Sequence, residues 1–347
     1  MTKGKFLFNP AKLLDAFYRK VSRSCKFEAT DKKSALIWQR RARKRLAECI
    51  GFLDQKKVPL APRVVKTVDR GRYVRRKVVI RTTARSHMPM YVLIPKGVSR
   101  PMPCVLALHG HGYGVKDIVG LWEDGTERFT PDGYHKDFAC ELAKRGFLVV
   151  APEISCFGER HNDWKYDVKD MGTTTCHNVA TYAMMLGGSA VGLRVWDGIR
   201  AVDYLAGLKE VDMSRLGAMG ISGGGMHAFF STAMDQRIKA VVISGYFCDW
   251  KHSILALPHC TCNFVPGLLA LGELSDLAGL IAPRPCLIEN GSQDSVFPIE
   301  HVKSTVRRAR KAWDAFGAGA VLQTDYFEGR HQISGAKAYD FLAEQLS

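Results

Sequence analysis

Five consecutive residues constrain this chain more than any others: Gly220-Ile221-Ser222-Gly223-Gly224, which fit G-x-S-x-G. The residues before them, Arg215-Leu216-Gly217-Ala218-Met219, suit a buried strand, and Gly225-Met226-His227-Ala228-Phe229-Phe230-Ser231 suit the start of a helix. A serine on a sharp turn between strand and helix is held exposed, with its hydroxyl at the positive end of the helix. The glycines are needed because a Cβ beside such a turn would clash. The pattern also arises in ordinary glycine-rich turns, so its weight depends on the residues that accompany it.

A serine nucleophile needs a base and an acid. Downstream, the apolar run Pro285-Cys286-Leu287-Ile288-Glu289 leads through Asn290-Gly291-Ser292-Gln293 to Asp294, the candidate acid on a loop after a strand. The run Ala320 to Phe327 reads as the last strand and leads through Glu328-Gly329-Arg330 to His331, the candidate base. Serine, acid and histidine therefore follow successive strands in the chain order Ser, Asp, His, as G-x-S-x-G enzymes place them. Asp249, after the strand ending at Gly245, is a rival acid. His259 and His301 are rival bases, but neither follows a strand late in the chain. Upstream, Cys104-Val105-Leu106-Ala107-Leu108 reads as a buried parallel strand opening into His109-Gly110-His111-Gly112. The N–H groups of His111 and Gly223 are the candidate donors to the oxyanion of a tetrahedral intermediate. As a metal pair, His109 and His111 make a poor site, two ligands on a glycine-rich loop with no carboxylate between them. No metal and no organic cofactor is expected.

The elements alternate in a telling way. Residues 11–55 read as one or two helices and 63–95 as three antiparallel strands. Strands then recur at 104–108, 147–151, 215–221, 238–244, 284–289 and 320–327, with helical segments between. That alternation argues a parallel, doubly wound α/β sheet, whose ligands bind beyond the carboxyl ends of the strands. Two units are expected: a basic helical N-terminal extension over 1–60 and a catalytic domain over 61–347. Segment 246–274 is the least regular and is a candidate lid or pocket wall. Its aromatics Tyr246, Phe247, Trp250 and Phe264 are candidate substrate-binding residues, and the loop 113–135, with Trp122 and Tyr134, is another candidate wall.

Charge and cysteine bound the rest. The 347 residues carry a formal +16, yet residues 1–99 alone carry +20 and the remainder −4. The densest run is Arg40-Arg41-Ala42-Arg43-Lys44-Arg45. At helical spacing Leu36, Leu46, Ile50 and Leu53 share one face, which leaves Arg40, Arg41, Lys44 and Arg45 on the other. A solvated helix face, or a homo-oligomer contact, is the simpler reading than a nucleic-acid site, because no nucleic-acid motif accompanies it. No stretch of roughly 18 apolar residues spans a membrane, and the opening Met1 to Pro10 is too short and interrupted for a signal peptide. A cytoplasmic location is expected, with the ten cysteines reduced and mostly packed in the core. His259-Cys260-Thr261-Cys262 lacks a second pair at metal-site spacing, which favours packing there too.

With these residues in place, the chain resembles the dienelactone hydrolase-like and acetyl xylan esterase-like branch of the α/β-hydrolases, over roughly 70–347. The resemblance rests on His109-Gly110-His111-Gly112, on Ala151-Pro152-Glu153 with Phe157-Gly158-Glu159-Arg160, and on Trp196 to Leu205. It continues with Gly220 to Gly225, Ala282-Pro283-Arg284-Pro285 and Gly329-Arg330-His331. It implies the α/β-hydrolase fold and a serine hydrolase that cleaves a small or acetylated carboxylic ester through an acyl-enzyme. Dienelactone hydrolases use a cysteine nucleophile, so Ser222 points away from dienelactone itself. Glu159, Arg160 and Asp197 are expected in structural ion pairs. Three alternatives stand beside the esterase reading. One is a prolyl-oligopeptidase-like peptidase, for which the N-terminal region is too short to build a propeller. Another is a carbon–carbon bond hydrolase on the same triad. The last is a non-catalytic binding protein whose basic helix recruits an acidic partner, against which an intact triad speaks.

Overall fold

The computed structural model describes residues 9–162 and 174–347. Among these residues nine strands form one sheet: β1 (Arg63–Asp69), β2 (Tyr73–Thr83), β3 (Ser86–Pro95), β4 (Met102–Leu108), β5 (Leu148–Pro152), β6 (Val211–Ile221), β7 (Ala240–Ser244), β8 (Cys286–Gly291) and β9 (Leu322–Phe327). The spatial order is β1-β2-β3-β5-β4-β6-β7-β8-β9. The first three strands are antiparallel to their neighbours, and from β5 to β9 every pairing is parallel. All nine expected strands are present, with ends displaced by a few residues.

The helices are α1 (Ala11–Lys20), α2 (Lys32–Ile50), α3 (Phe138–Lys144), α4 (Cys176–Met185), α5 (Ala190–Ala206), α6 (Gly223–Met234), the single turns α7 (Leu268–Leu271) and α8 (Leu274–Leu277), α9 (Ile299–Asp314) and α10 (Ala338–Gln345). They divide the core in two. Residues of α2, α5, α6 and α9 pack with one face of the sheet, and residues of α3 and α10 pack with the other. The central strands β4, β5 and β7, and β6 from Leu216 onward, are apolar almost throughout because both their faces are covered.

The N-terminal helices are stitched to this core. A capping box between Asp31 and Ser34 starts α2. Its buried side is Ala35, Trp38, Gln39, Ala42, Leu46 and Ile50. Trp38 packs edge-on against Phe27 with centroids 4.8 Å apart. Gln39 Nε2 donates to the carbonyls of Gly279 and Ala282, and Arg43 Nε donates to the carbonyl of Ala233. These anchors rotate the helix so that Leu36, expected on the packed side, is exposed. Arg40, Arg41, Lys44 and Arg45 face solvent.

Candidate active site

Ser222 sits between β6 and α6 with φ 57° and ψ −122°, a backbone conformation a β-carbon makes costly. Three features hold it there. Its N–H donates to the carbonyl of Ser244 at the end of β7 (3.0 Å), and its carbonyl accepts from Met226 N–H (2.9 Å). A Cβ at Gly220 would run into the Gly224 carbonyl, and one at Gly224 into the Leu108 carbonyl, so side chains at either position would open the turn. Gly223 begins α6, so its N–H has no acceptor within the helix.

Asp294 and His331 lie on the loops after β8 and β9. His331 Nδ1 is 2.7 Å from Asp294 Oδ2. The other oxygen of Asp294 accepts from the N–H groups of Val296 (2.8 Å) and Phe297 (3.0 Å), which fixes the carboxylate. The His331 ring is stacked between Tyr134 and Phe297, with centroids 5.5 and 5.7 Å away. Gly245, at φ 50°, passes beneath it; a Cβ there would lie 2.8 Å from His331 Cε1. Ser222 and His331 line one cavity of about 480 Å³ with His111, Tyr134, Gly223, Leu257, Pro258, His259, Cys260, Asn263, Val296 and Phe297.

Asp249 is engaged elsewhere. Its Oδ1 accepts from His252 N–H (3.0 Å) and lies 2.7 Å from His252 Nδ1. Its Oδ2 lies 3.7 Å from His301 and 3.6 Å from Arg308. His259, by contrast, is a wall of the cavity. Burial, with His111 and His331 nearby, holds its imidazole below the ordinary value and therefore neutral.

The loop after β4 is braced by residues far apart in sequence. Gly110 N–H donates to His135 Nε2 (2.8 Å), and His135 Nδ1 lies 3.0 Å from Asp117 Oδ2. An imidazole that accepts at Nε2 carries its proton on Nδ1, the nitrogen that faces the Asp117 carboxylate. Burial keeps His135 neutral against the pull of Asp117. Burial pushes the Asp117 carboxyl up, but contacts with His135 and Arg128 outweigh it and hold the group below the usual range. Arg128 in turn pairs with Asp137 (2.5 Å). His109 accepts from Ile154 N–H (3.0 Å), and Glu153 accepts from Val115 N–H (2.8 Å). Tyr134 Oη donates to the His111 carbonyl at 2.6 Å. Gly110 N–H is taken up by His135, and the two expected oxyanion donors, His111 and Gly223, both line the cavity. Tyr134, expected as a wall, lines the cavity and also holds the His111 carbonyl.

The four aromatic candidates Tyr246, Phe247, Trp250 and Phe264 do not line the cavity. After β7 the chain turns inward, burying Tyr246 against Phe297 (5.5 Å) and Phe247 against Phe229 (6.2 Å). Trp250 and Phe264 flank a separate hollow of about 150 Å³. The wall is built one layer further out, by Leu257 to Cys260 and Asn263, all within segment 246–274. Trp122 stacks under Arg128 away from the cavity. Arg160 pairs with Asp197 (2.5 Å) and Glu159 with Lys77 (2.5 Å), both structural contacts.

The sequence model of the Abhydrolase family, Abhydrolase_7, matches residues 4–314. The chain belongs to this family. It is 27% identical over 285 residues to YtaP of Bacillus subtilis (strain 168), which carries a provisional hydrolase name; the match covers 80% of this chain and 88% of YtaP. Among solved structures, a Bacteroides fragilis NCTC 9343 protein provisionally described as an acetyl xylan esterase superposes with a TM-score of 0.76. Identity is 19%, over 94% of this chain and 84% of that one. A glucuronoyl esterase from Solibacter usitatus superposes with a TM-score of 0.68 at 17% identity, over 95% and 100%. At such identities the likeness is one of fold, and that fold is the α/β-hydrolase. Among the described residues, no helix is long and apolar enough to cross a membrane.

Proposed function

We propose that this protein is a serine carboxylic ester hydrolase acting on a small or acetylated ester through an acyl-enzyme. The observation that carries the reading is the convergence of Ser222, His331 and Gly223 on one cavity, with His331 bonded through Nδ1 to a fixed Asp294. That bond leaves Nε2 of His331 as the nitrogen free to serve Ser222. Ser222 Oγ attacks the ester carbonyl as His331 Nε2 takes its proton, and Asp294 stabilises the imidazolium. The N–H groups of His111 and Gly223 receive the oxyanion, each worth about 3 kcal/mol in the transition state. His331 returns the proton to the departing alcohol. Water, deprotonated by the same nitrogen, then cleaves the acyl-enzyme and releases the acid. The likeness of fold to carbohydrate esterases supports an ester on a sugar-sized alcohol, and the cavity of about 480 Å³ accommodates such a group.

The test is hydrolysis of p-nitrophenyl acetate, longer acyl homologues and acetylated xylo-oligosaccharides by the wild-type chain and by Ser222→Ala. The expected result is turnover that falls by a factor on the order of 10⁶ in the variant, with preference for short acyl groups. Wild-type turnover that survives in Ser222→Ala would sink the assignment of the nucleophile. Peptide turnover without ester turnover would replace the esterase reading with a peptidase.

A further inference from the structure

In the wall of the cavity, four side chains from three separate parts of the sequence turn ligating atoms toward one point. They are His111 after β4, Cys176 at the start of α4, and Cys260 and Cys262 in the wall segment. All four ligating atoms lie within 4.8 Å of one another. His111 Nε2 is 3.6 Å from Cys262 Sγ and 4.0 Å from Cys176 Sγ. In a tetrahedral zinc site, bonds of about 2.1 Å to nitrogen and about 2.3 Å to sulfur set a nitrogen-to-sulfur edge of about 3.6 Å. The two spacings therefore already approach the edges of such a tetrahedron.

The surroundings supply a second, independent argument. Arg194, on α5, is fully buried, and its guanidinium donates to Cys176 Sγ at 3.3 Å. Among the described residues no carboxylate pairs with it; the acidic groups around it are the thiols of Cys156, Cys176 and Cys262. A buried guanidinium needs a counter-charge. Neutral thiols give it none. Three thiolates, a neutral imidazole and a divalent cation carry one net negative charge, which Arg194 balances. Asn263 adds a further donor, with Nδ2 3.9 Å from Cys262 Sγ. Donors of this kind around coordinated thiolates orient them and tune the metal.

We propose that His111, Cys176, Cys260 and Cys262 form a closed structural zinc site. Three thiolates and an imidazole are soft and borderline donors, the set that selects zinc among common divalent ions. With four protein ligands no position stays open for water or substrate, so the ion clamps and does not react. It ties the loop after β4 to α4 and to the wall segment. The site does not depend on the esterase reading, and its test does not use ester turnover.

The full chain, purified under reducing conditions without chelator, is expected to contain about one zinc per molecule by plasma mass spectrometry. Chelation should lower its thermal midpoint and added Zn²⁺ should restore it. Exchange into Co²⁺ should give thiolate-to-cobalt charge-transfer absorption with the intense visible bands of tetrahedral cobalt. Cys176→Ser and Cys262→Ser should lose the metal, whereas Cys49→Ser, away from the quartet, should keep it. Arg194→Gln should weaken zinc binding about 10- to 100-fold. Should the cysteine variants fail to fold, the wild-type stoichiometry and cobalt spectrum still decide. A wild-type chain that arrives without metal and takes up no added Zn²⁺ would overturn the proposal. So would a cobalt spectrum without thiolate charge transfer. Two thiols missing from the ten on titration after denaturation would point instead to a disulfide, and would overturn it equally.

Discussion

At the scale of single residues, the site rests on which carboxylate serves His331. Asp294 bonds its Nδ1 and is itself held by two backbone N–H groups, while Asp249 is shared among His252, His301 and Arg308. Asp294→Asn is therefore expected to lower kcat on the order of 10⁴-fold by favouring the wrong imidazole tautomer. Asp249→Asn should stay within about threefold of wild type. Steady-state kinetics on one ester decides, and a reversed order would reassign the acid. Tyr134 lines the cavity beside Ser222 and His331 and is expected to act as a positioning residue. Its hydroxyl holds the carbonyl of His111, whose own N–H is an oxyanion candidate. Tyr134→Phe should lower kcat about tenfold with KM little changed, less than the 10²- to 10³-fold lost when an oxyanion donor is removed directly. A raised KM with unchanged kcat would make Tyr134 a substrate contact. Asp294 and His331 could be read from sequence because each follows an apolar run and a turn, signals local to a few residues. Tyr134 could not, because its partner His111 lies 23 positions away and no short pattern links them.

At the scale of elements, periodicity reads strands better than helix faces. The apolar runs that became β4 to β8 are buried on both sides and needed no orientation to be recognised. The orientation of α2 depends on what it meets. Its packed side is set by Trp38 against Phe27 and by Gln39 reaching two carbonyls at the α8 end, and neither partner is adjacent in sequence. The same limit hid the cysteine–histidine cluster, whose members at 111, 176, 260 and 262 show no metal-site spacing. It also misplaced the aromatics of 246–264, because hydrophobic residues after a strand can as well support a wall as face it. Gln39→Ala should destabilise the protein by about 1–3 kcal/mol, since it leaves the buried carbonyls of Gly279 and Ala282 without a donor. Replacing exposed Arg40, Arg41, Lys44 and Arg45 singly by Gln should each change stability by less than about 0.5 kcal/mol. Urea unfolding of the purified variants checks both. A large effect from these basic residues with none from Gln39 would mean that the basic face is packed against something in solution, such as a second copy of the chain.

At the scale of the whole molecule, the protein is expected to lose stability toward acid through its buried histidines. Burial, with the nearby Arg194 cation, holds His227 down to about 3, and burial also lowers His135 and His259. For a base depressed in the folded state, the contribution to stability is fully present above the unfolded value of 6.5. It is lost as pH falls from there toward the folded value, because the unfolded chain takes a proton that the folded chain refuses. Asp117, lowered in the folded state, adds to the same acid limb at still lower pH. For His227 alone the loss between pH 7.5 and pH 5.5 is about 1.4 kcal/mol, the integrated difference in proton uptake. His227→Met should therefore lose about 1.4 kcal/mol less than wild type over that interval, whatever its stability at pH 7.5. The measurement is urea unfolding of both proteins at the two pH values, with the comparison made within each protein so that the packing cost of the substitution cancels. Equal losses would mean that His227 takes up its proton in the folded state. They would also imply that the packed interior around His227 admits a charge that the buried guanidinium of Arg194 should repel.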